Sequence, residues 1–584
     1  MTTKLILTNI IKKKNSTYLS VFSKNLKNET LKFNDIIFKD IILKKKKDYL
    51  YLKNINNKIL KILKIKLNRI FRLKKSDIYW RILVYPWICH YTAFFFSKWK
   101  IAKFLKRTKK KFQVEDYVSE NYVKVLDHSD YINKYVLDDY YNFYQLKKIF
   151  NFIGLKNIVF VKKTILNDST KTKKNHFLNF NLFFISLKNF ILKIIFFYFI
   201  KNSKIYFDNF YFPKKKFYSL CLKLKILPLL DHSFILPRKS LNINTYNAKL
   251  RNEIKIYATK YKTKDFFLKF LLDNISLNIP MSYIENYPKI QSSIENFSKI
   301  KKNIITTSLF YNDILKIYCA EAVSNGSKLI FIDHGIQTTK FSGFFNYQES
   351  ISHKFVIWNK RLKSDKTIYL PPTLPIINKE INIKSKKRIN CTIIFTEAHK
   401  YLFKMQSTPS LYNSIFEFKA IVSMVKLFDK KIRNVIKFRN KNYSSFNATK
   451  RFEKIFGKNA VDTPKKNSFF ETLKNSKLII FTYAQTAFFE SMFLNTPTIL
   501  ILFKDHWDFE EKFKKYVNLF LKNNIAFYDI KNASNFINNN WDRLSDWWNS
   551  TEIQKSREEY IFDYTNYRED YLSKYESFFK KLIH

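Results

Sequence analysis

The stretch Lys477-Leu478-Ile479-Ile480-Phe481-Thr482-Tyr483-Ala484-Gln485-Thr486-Ala487-Phe488-Phe489-Glu490 decides the fold. Lys477 to Phe481 is a short, very apolar run, which reads as a strand buried on both faces. A turn of hydroxyl and amide side chains follows. Phe488 to Leu494 then reads as a helix, and Thr498 to Phe503 as the next strand. Strand, turn, helix and strand in this order build a parallel α/β layer. Upstream, Thr392 to Phe395 and Asn434 to Phe438 read as strands, with a helix over Leu411 to Phe428. Further back the alternation recurs: strand at Ile304-Ile305, helix over Asn312 to Ala322, and strands at Lys328 to Ile332 and Lys354 to Trp358. Pro371, Pro372 and Pro375 interrupt the two series and read as a stiff linker. The expected layout is an N-terminal α/β domain with helical insertions over 1–370, a linker at 371–376, a second α/β domain over 377–545, and closing helices over 546–584. Ligands of such sheets bind beyond the carboxyl ends of the strands.

The chain has 584 residues, enough for two or three compact units. Its hydrophobic fraction of 46% excludes a disordered tail or linker protein. It has 5 glycines, where average usage would give roughly 40. Lys outnumbers Arg by about 92 to 14. The favoured residues have A/T-rich codons and the depleted ones G/C-rich codons, so the composition reads as mutational bias. The net charge of +59 is weighed accordingly. A surface built to grip phosphate favours the planar fork of Arg, which is scarce here. Most lysines are expected on solvated faces. Contact with an anionic membrane is the next reading, and nucleic acid is not expected as a partner. Cys89, Cys221, Cys319 and Cys391 are scattered, which fits a reduced cytoplasmic setting and no metal or redox pair. Met1 to Asn9 lacks the apolar core of a signal peptide. Phe183 to Ile200 is the most membrane-like run, but Lys188 and Lys193 favour a buried or surface-lying helix over a span.

Two constellations carry candidate chemistry. Three of the five glycines, Gly326, Gly335 and Gly343, fall close together, and His334 follows the strand Lys328 to Ile332. Glycine surviving such a bias marks backbone that needs it. His334 at a strand end suits a general base or a donor to phosphate, or else a structural turn histidine. Glu349 and His353 follow and can orient His334, bind acceptor hydroxyls, or simply be solvated. In the second constellation, Thr482, Gln485 and Thr486 surround a helix start, where free N–H groups attract phosphate. Glu490, one turn after Thr486, can accept from ribose hydroxyls; alternatively it only favours the helix's first turn. Lys437, Arg439 and Arg451 flank a strand and can neutralise a diphosphate, or lie on the surface. No Walker A loop, GxSxG elbow or HExxH occurs, and His399 and His506 look isolated.

These residues resemble a known family. Thr482 to Thr498, then Trp507, Phe536 to Trp541 and Trp547-Trp548-Asn549-Ser550 look like the transferases of bacterial surface-carbohydrate and O-antigen assembly clusters. His334-Gly335, Glu349, Trp358, Tyr79-Trp80-Arg81 and Pro86-Trp87 are similar to segments of that family too. The resemblance implies a GT-B type glycosyltransferase of two facing Rossmann-like domains. Thr482, Thr486 and Glu490 would then lie at a nucleotide-sugar donor and His334 at the reacting centre, with no cofactor and no metal. Here Ile336-Gln337-Thr338-Thr339 replaces a glycine-richer loop, and Trp358-Asn359 a tryptophan–glycine pair. The implied function is transfer of a sugar, or a polyol phosphate, to a growing polysaccharide or lipopolysaccharide O-antigen. A lipid-linked glycan would be an acceptor, and the basic surface would hold the enzyme at the inner face of the cytoplasmic membrane. A basic nucleic-acid-binding or scaffold protein without catalysis, and a nucleotide-sugar epimerase or hydrolase on the same scaffold, are the alternatives.

Overall fold

The computed structural model describes residues 3–8, 17–18, 45–108, 110–116, 124–162, 203–208, 210–226, 238, 241–340, 346–359, 364–373, 388–396, 399, 401–405, 411–440, 448–463, 467–503, 506–567 and 570–583. Phe183 to Ile200 and Gly343 lie outside them. The chain forms two compact units. The first comprises 1–208, 227–329 and 401–405; the second comprises 209–226, 330–400 and 406–584.

The first unit is rich in helix. In Lys45–Ile70, Tyr49, Leu52, Ile55, Ile59, Leu63 and Leu67 recur every three or four residues and are buried, while Lys46, Lys47 and Lys61 stay exposed. One apolar stripe docks the helix and the lysines form its wet face. Helix Asp77–Arg107 starts at Ser76, whose side chain accepts from the Tyr79 N–H. It is buried around its whole circumference from Ile82 to Phe96. Tyr79 donates to the buried Glu321 at 2.7 Å, beside Gln291 at 2.8 Å and Lys75 at 2.7 Å. The Tyr79-Trp80-Arg81 segment therefore anchors a helix to a buried carboxylate. Strands β1 (Thr3–Ile6), β2 (Thr17–Tyr18), β3 (Phe112–Asp116) and β4 (Ile158–Lys162) form a parallel sheet in the order β2-β1-β3-β4. Helix Asp139–Ile153 makes the crossover from β3 to β4. Strands β5 (Ile205–Asp208) and β6 (Asn303–Thr306) pair in parallel.

In the second unit, β7 (Lys328–Ile332), β8 (Lys354–Ile357) and β9 (Thr367–Tyr369) pair in parallel, the unit beginning at Ile330. A fully parallel sheet follows: β10 (Asn390–Phe395), β11 (Ile436–Asn440), β12 (Ser476–Phe481), β13 (Thr498–Ile501) and β14 (Ala526–Phe527), in the order β11-β10-β12-β13-β14. Helices Leu411–Lys426, Ala448–Phe456, Thr486–Phe493 and Glu511–Lys522 make the crossovers. Phe481, Phe488, Met492, Phe513 and Phe520 pack into one core with Tyr560 and Tyr564 of the C-terminal helices.

The sequence-level strands and helices recur here to within a few residues, as a parallel α/β architecture. The expected break at 371–376 does not separate the compact units. Residues 330–370 belong with the C-terminal sheet, and Pro371, Pro372 and Thr373 are buried. The Tyr575 hydroxyl donates to the Pro371 carbonyl at 3.1 Å, and the Thr373 hydroxyl donates to the Tyr211 carbonyl. Proline stiffness serves a packed strand exit here. Residues 374–376 lie outside the described set. Among the described residues, no helix is long and apolar enough to cross a membrane.

Candidate functional site

The order β11-β10-β12-β13-β14 puts the first strand of the sheet between the second and third. The chain leaves β10 and β12 toward opposite sides, and in such sheets a crevice opens beyond their carboxyl ends. Thr482 continues β12 there, its N–H bonded to the Ile394 carbonyl at 3.2 Å. The Thr482 hydroxyl donates to Glu417 Oε2 at 3.3 Å, and Glu417 Oε1 lies 3.0 Å from His506 Nδ1. Glu417 sits in helix Leu411–Lys426 after β10, and His506 in the loop after β13. All three are buried, Glu417 to 2% exposure and His506 to 9%. A carboxylate this deep requires donors on its oxygens, and the hydroxyl and the imidazole supply one to each.

The loop after β7 reaches the same edge. Asp333 is buried; its N–H bonds the Val356 carbonyl at 2.9 Å, and its Oδ2 accepts from the Trp358 N–H at 3.2 Å. His334 next to it is exposed, its ring 6.4 Å from that of Tyr211. At Gly335 a Cβ would stand 2.6 Å from Thr486 Oγ1. Glycine is needed here for close approach. The Ile336 N–H donates to Thr486 Oγ1 at 3.0 Å, and the Thr338 hydroxyl donates to the Ala484 carbonyl at 2.6 Å. Asn359 donates to the Gln337 carbonyl at 2.6 Å, so the residue that departs from a tryptophan–glycine pair holds the glycine-poor loop. His334-Gly335 and Thr482 to Thr486, 150 residues apart in sequence, are thus stitched together within one unit.

Helix Thr486–Phe493 begins after Gln485, whose backbone is extended and whose side chain makes no capping bond. Thr486 Oγ1 accepts from Ile336, which leaves its own O–H to donate elsewhere. Glu490 is half-buried one turn along the helix.

Other candidates are set apart. Helix Tyr347–Ile351 and His353 lead into the amino end of β8, whereas His334 leaves the carboxyl end of the parallel β7. Strand direction therefore separates Glu349 and His353 from His334. Lys437 near the start of β11 donates to the Asn459 carbonyl and lines a polar cavity of about 190 Å³ with Thr392, Lys458 and Asn475. Asn390 at the start of β10 lines it too, so this cavity opens toward the amino ends of the strands. Arg439 is buried. Its guanidinium donates to Asp462 Oδ2 and to the Asn467 carbonyl, both at 3.0 Å, while Thr472 donates to the same carboxylate at 2.6 Å. Arg439 is thus a structural tie. Arg451 is half-buried in helix Ala448–Phe456.

His506, which looks isolated in the sequence, is paired with Glu417 across 89 residues, and Glu417 is not among the sequence candidates. A signal for His506 existed, because it follows an apolar strand as His334 does. Glu417 gave none: one acid in an amphipathic helix reads as a polar-face residue. Among the described residues, no three His, Cys, Asp or Glu side chains are grouped to hold a metal.

No curated protein matches the chain. The family model of the LIC12162 family transferases matches residues 18–579, nearly the whole length. The residues that meet at the carboxyl edge of the C-terminal sheet all lie inside that match, and the chain belongs to the LIC12162 transferase family.

Proposed function

We propose that this transferase moves a sugar, or a polyol phosphate, from a nucleotide-activated donor to a growing cell-surface polysaccharide such as an O-antigen, on a GT-B type scaffold and without a metal. One observation supports this reading most directly: His334-Gly335 and the Thr482–Glu490 segment meet at the carboxyl edge of a parallel sheet, beside its switch between β10 and β12. In this reading the first-turn amides of helix Thr486–Phe493 and the Thr486 hydroxyl face the donor phosphates. Gln485 borders them, Glu490 accepts from the ribose hydroxyls, and His334 acts at the reacting centre. The basic surface holds the enzyme against the anionic inner leaflet.

The test is a thermal-shift screen of the full chain against CMP-, CDP-, UDP-, GDP- and dTDP-linked sugars. A ligand at about 100 times its Kd adds roughly 2.7 kcal/mol of stability. One donor class is expected to raise the melting temperature, and Glu490→Ala to abolish that rise. No shift with any donor, together with strong stabilisation by RNA or DNA, would replace this reading with a nucleic-acid-binding one.

A further inference from the structure

We infer that His506, held by Glu417, is a phosphate-binding residue of the donor site, a role the Thr486 helix start alone does not fill. The inference rests on the donor reading above. Glu417 Oε1 accepts at 3.0 Å from Nδ1 of His506, and Oε2 accepts at 3.3 Å from the Thr482 hydroxyl. With both carboxylate oxygens engaged, Glu417 fixes the ring so that Nδ1 carries a proton. Phe416 and Phe503 flank the ring at 5.4 and 5.2 Å between centroids and hold its plane. What remains is Nε2. It makes no hydrogen bond among the described residues, on a side chain that is 8% exposed. Nε2 is unpartnered at the carboxyl edge of β13, and a ring that takes a second proton there together with an anion donates from both nitrogens, Nδ1 to Glu417 and Nε2 to the anion. The group it fits is an anionic oxygen, and at this edge of the sheet that is a phosphate of the donor nucleotide. A charge-assisted bond of this kind is stronger than a neutral one. Glu417 positions His506 without touching the ligand.

The test uses the full chain and a panel of nucleoside diphosphates, with the matching nucleosides and inorganic pyrophosphate alongside. His506→Asn keeps an amide N–H where Nδ1 stood, so Glu417 retains a donor, while Nε2 is lost. Its melting temperature is expected within about 2 °C of wild type, its affinity for the preferred diphosphate reduced about 10- to 100-fold, and its affinity for the nucleoside unchanged. Equal diphosphate affinity in a folded His506→Asn would overturn the inference while leaving the donor reading intact. A second measurement needs no variant: diethylpyrocarbonate should modify His506 in the free wild-type protein, and the diphosphate should protect it. Absence of modification, or of protection, would also overturn the inference. If wild type binds neither nucleotide nor pyrophosphate, the donor reading falls together with it.

Discussion

Gly335→Ala should loosen the whole carboxyl edge of the C-terminal sheet. The new methyl would sit 2.6 Å from Thr486 Oγ1, inside any tolerable contact. The Thr486 hydroxyl must turn away or the backbone on one side must give, and either way the bond from the Ile336 N–H to that oxygen is lost. Overpacking costs about 1–3 kcal/mol, and the lost hydrogen bond adds about 1, so a local loss near 3 kcal/mol is expected. Thr486→Ala alone removes the acceptor and costs about 1 kcal/mol. In the double variant the obstructing oxygen is gone, so the two effects should fall short of their sum by about 1–2 kcal/mol. Hydrogen exchange of peptides covering 334–340 and 482–493 reads this directly. Purely additive effects would mean that the two segments are not in contact in solution.

Asp462→Ala should be the most damaging single change in the second unit. Asp462 accepts from Arg439, Asn467 and Thr472 at once, and both partners of the ion pair are under a tenth exposed. Removing the carboxylate leaves the guanidinium buried without a counter-charge, which costs about 3–5 kcal/mol. Replacing both partners, Arg439→Met with Asp462→Leu, is expected to recover most of that stability, because no charge is then stranded. Denaturant unfolding followed in the second unit checks the order single below double. The double variant should also keep its thermal shift with the donor nucleotide. Loss of that shift in a stable double variant would return Arg439 to the donor site.

The strands were legible because a parallel sheet buries both faces: the apolar run Leu478 to Phe481 reads as a buried strand, and β12 begins at Ser476, one residue before the expected Lys477. The glycine signal at Gly335 was legible for the same reason it was rare, since a biased composition keeps glycine where a side chain cannot fit. Three things were not legible. The Gly335–Thr486 contact depends on a close approach across 150 residues, which no local pattern reports. The unit boundary falls at Ile330 rather than at the proline cluster, because residues 330–400 group with 406–584 through contacts distant in sequence. Glu417 is recognisable only by what folds onto it. Arginine scarcity was informative in an unexpected direction. Arg439 and Arg251 are buried against Asp462 and Glu285, as ties within the structure.

The stitching of residues 335–338 to 484–486 also bears on how this protein can be recombined. A chimera that joins the N-terminal part of one family member to the C-terminal part of another at the proline cluster would draw Gly335 and Thr486 from different parents. The loop and the turn would then meet as strangers at a spacing that admits no side-chain error. An exchange meant to transplant the edge of the sheet whole must carry 209–226 and 330–400 along with 406–584. The portable module of this transferase is therefore three separate pieces of gene that fold as one piece of protein.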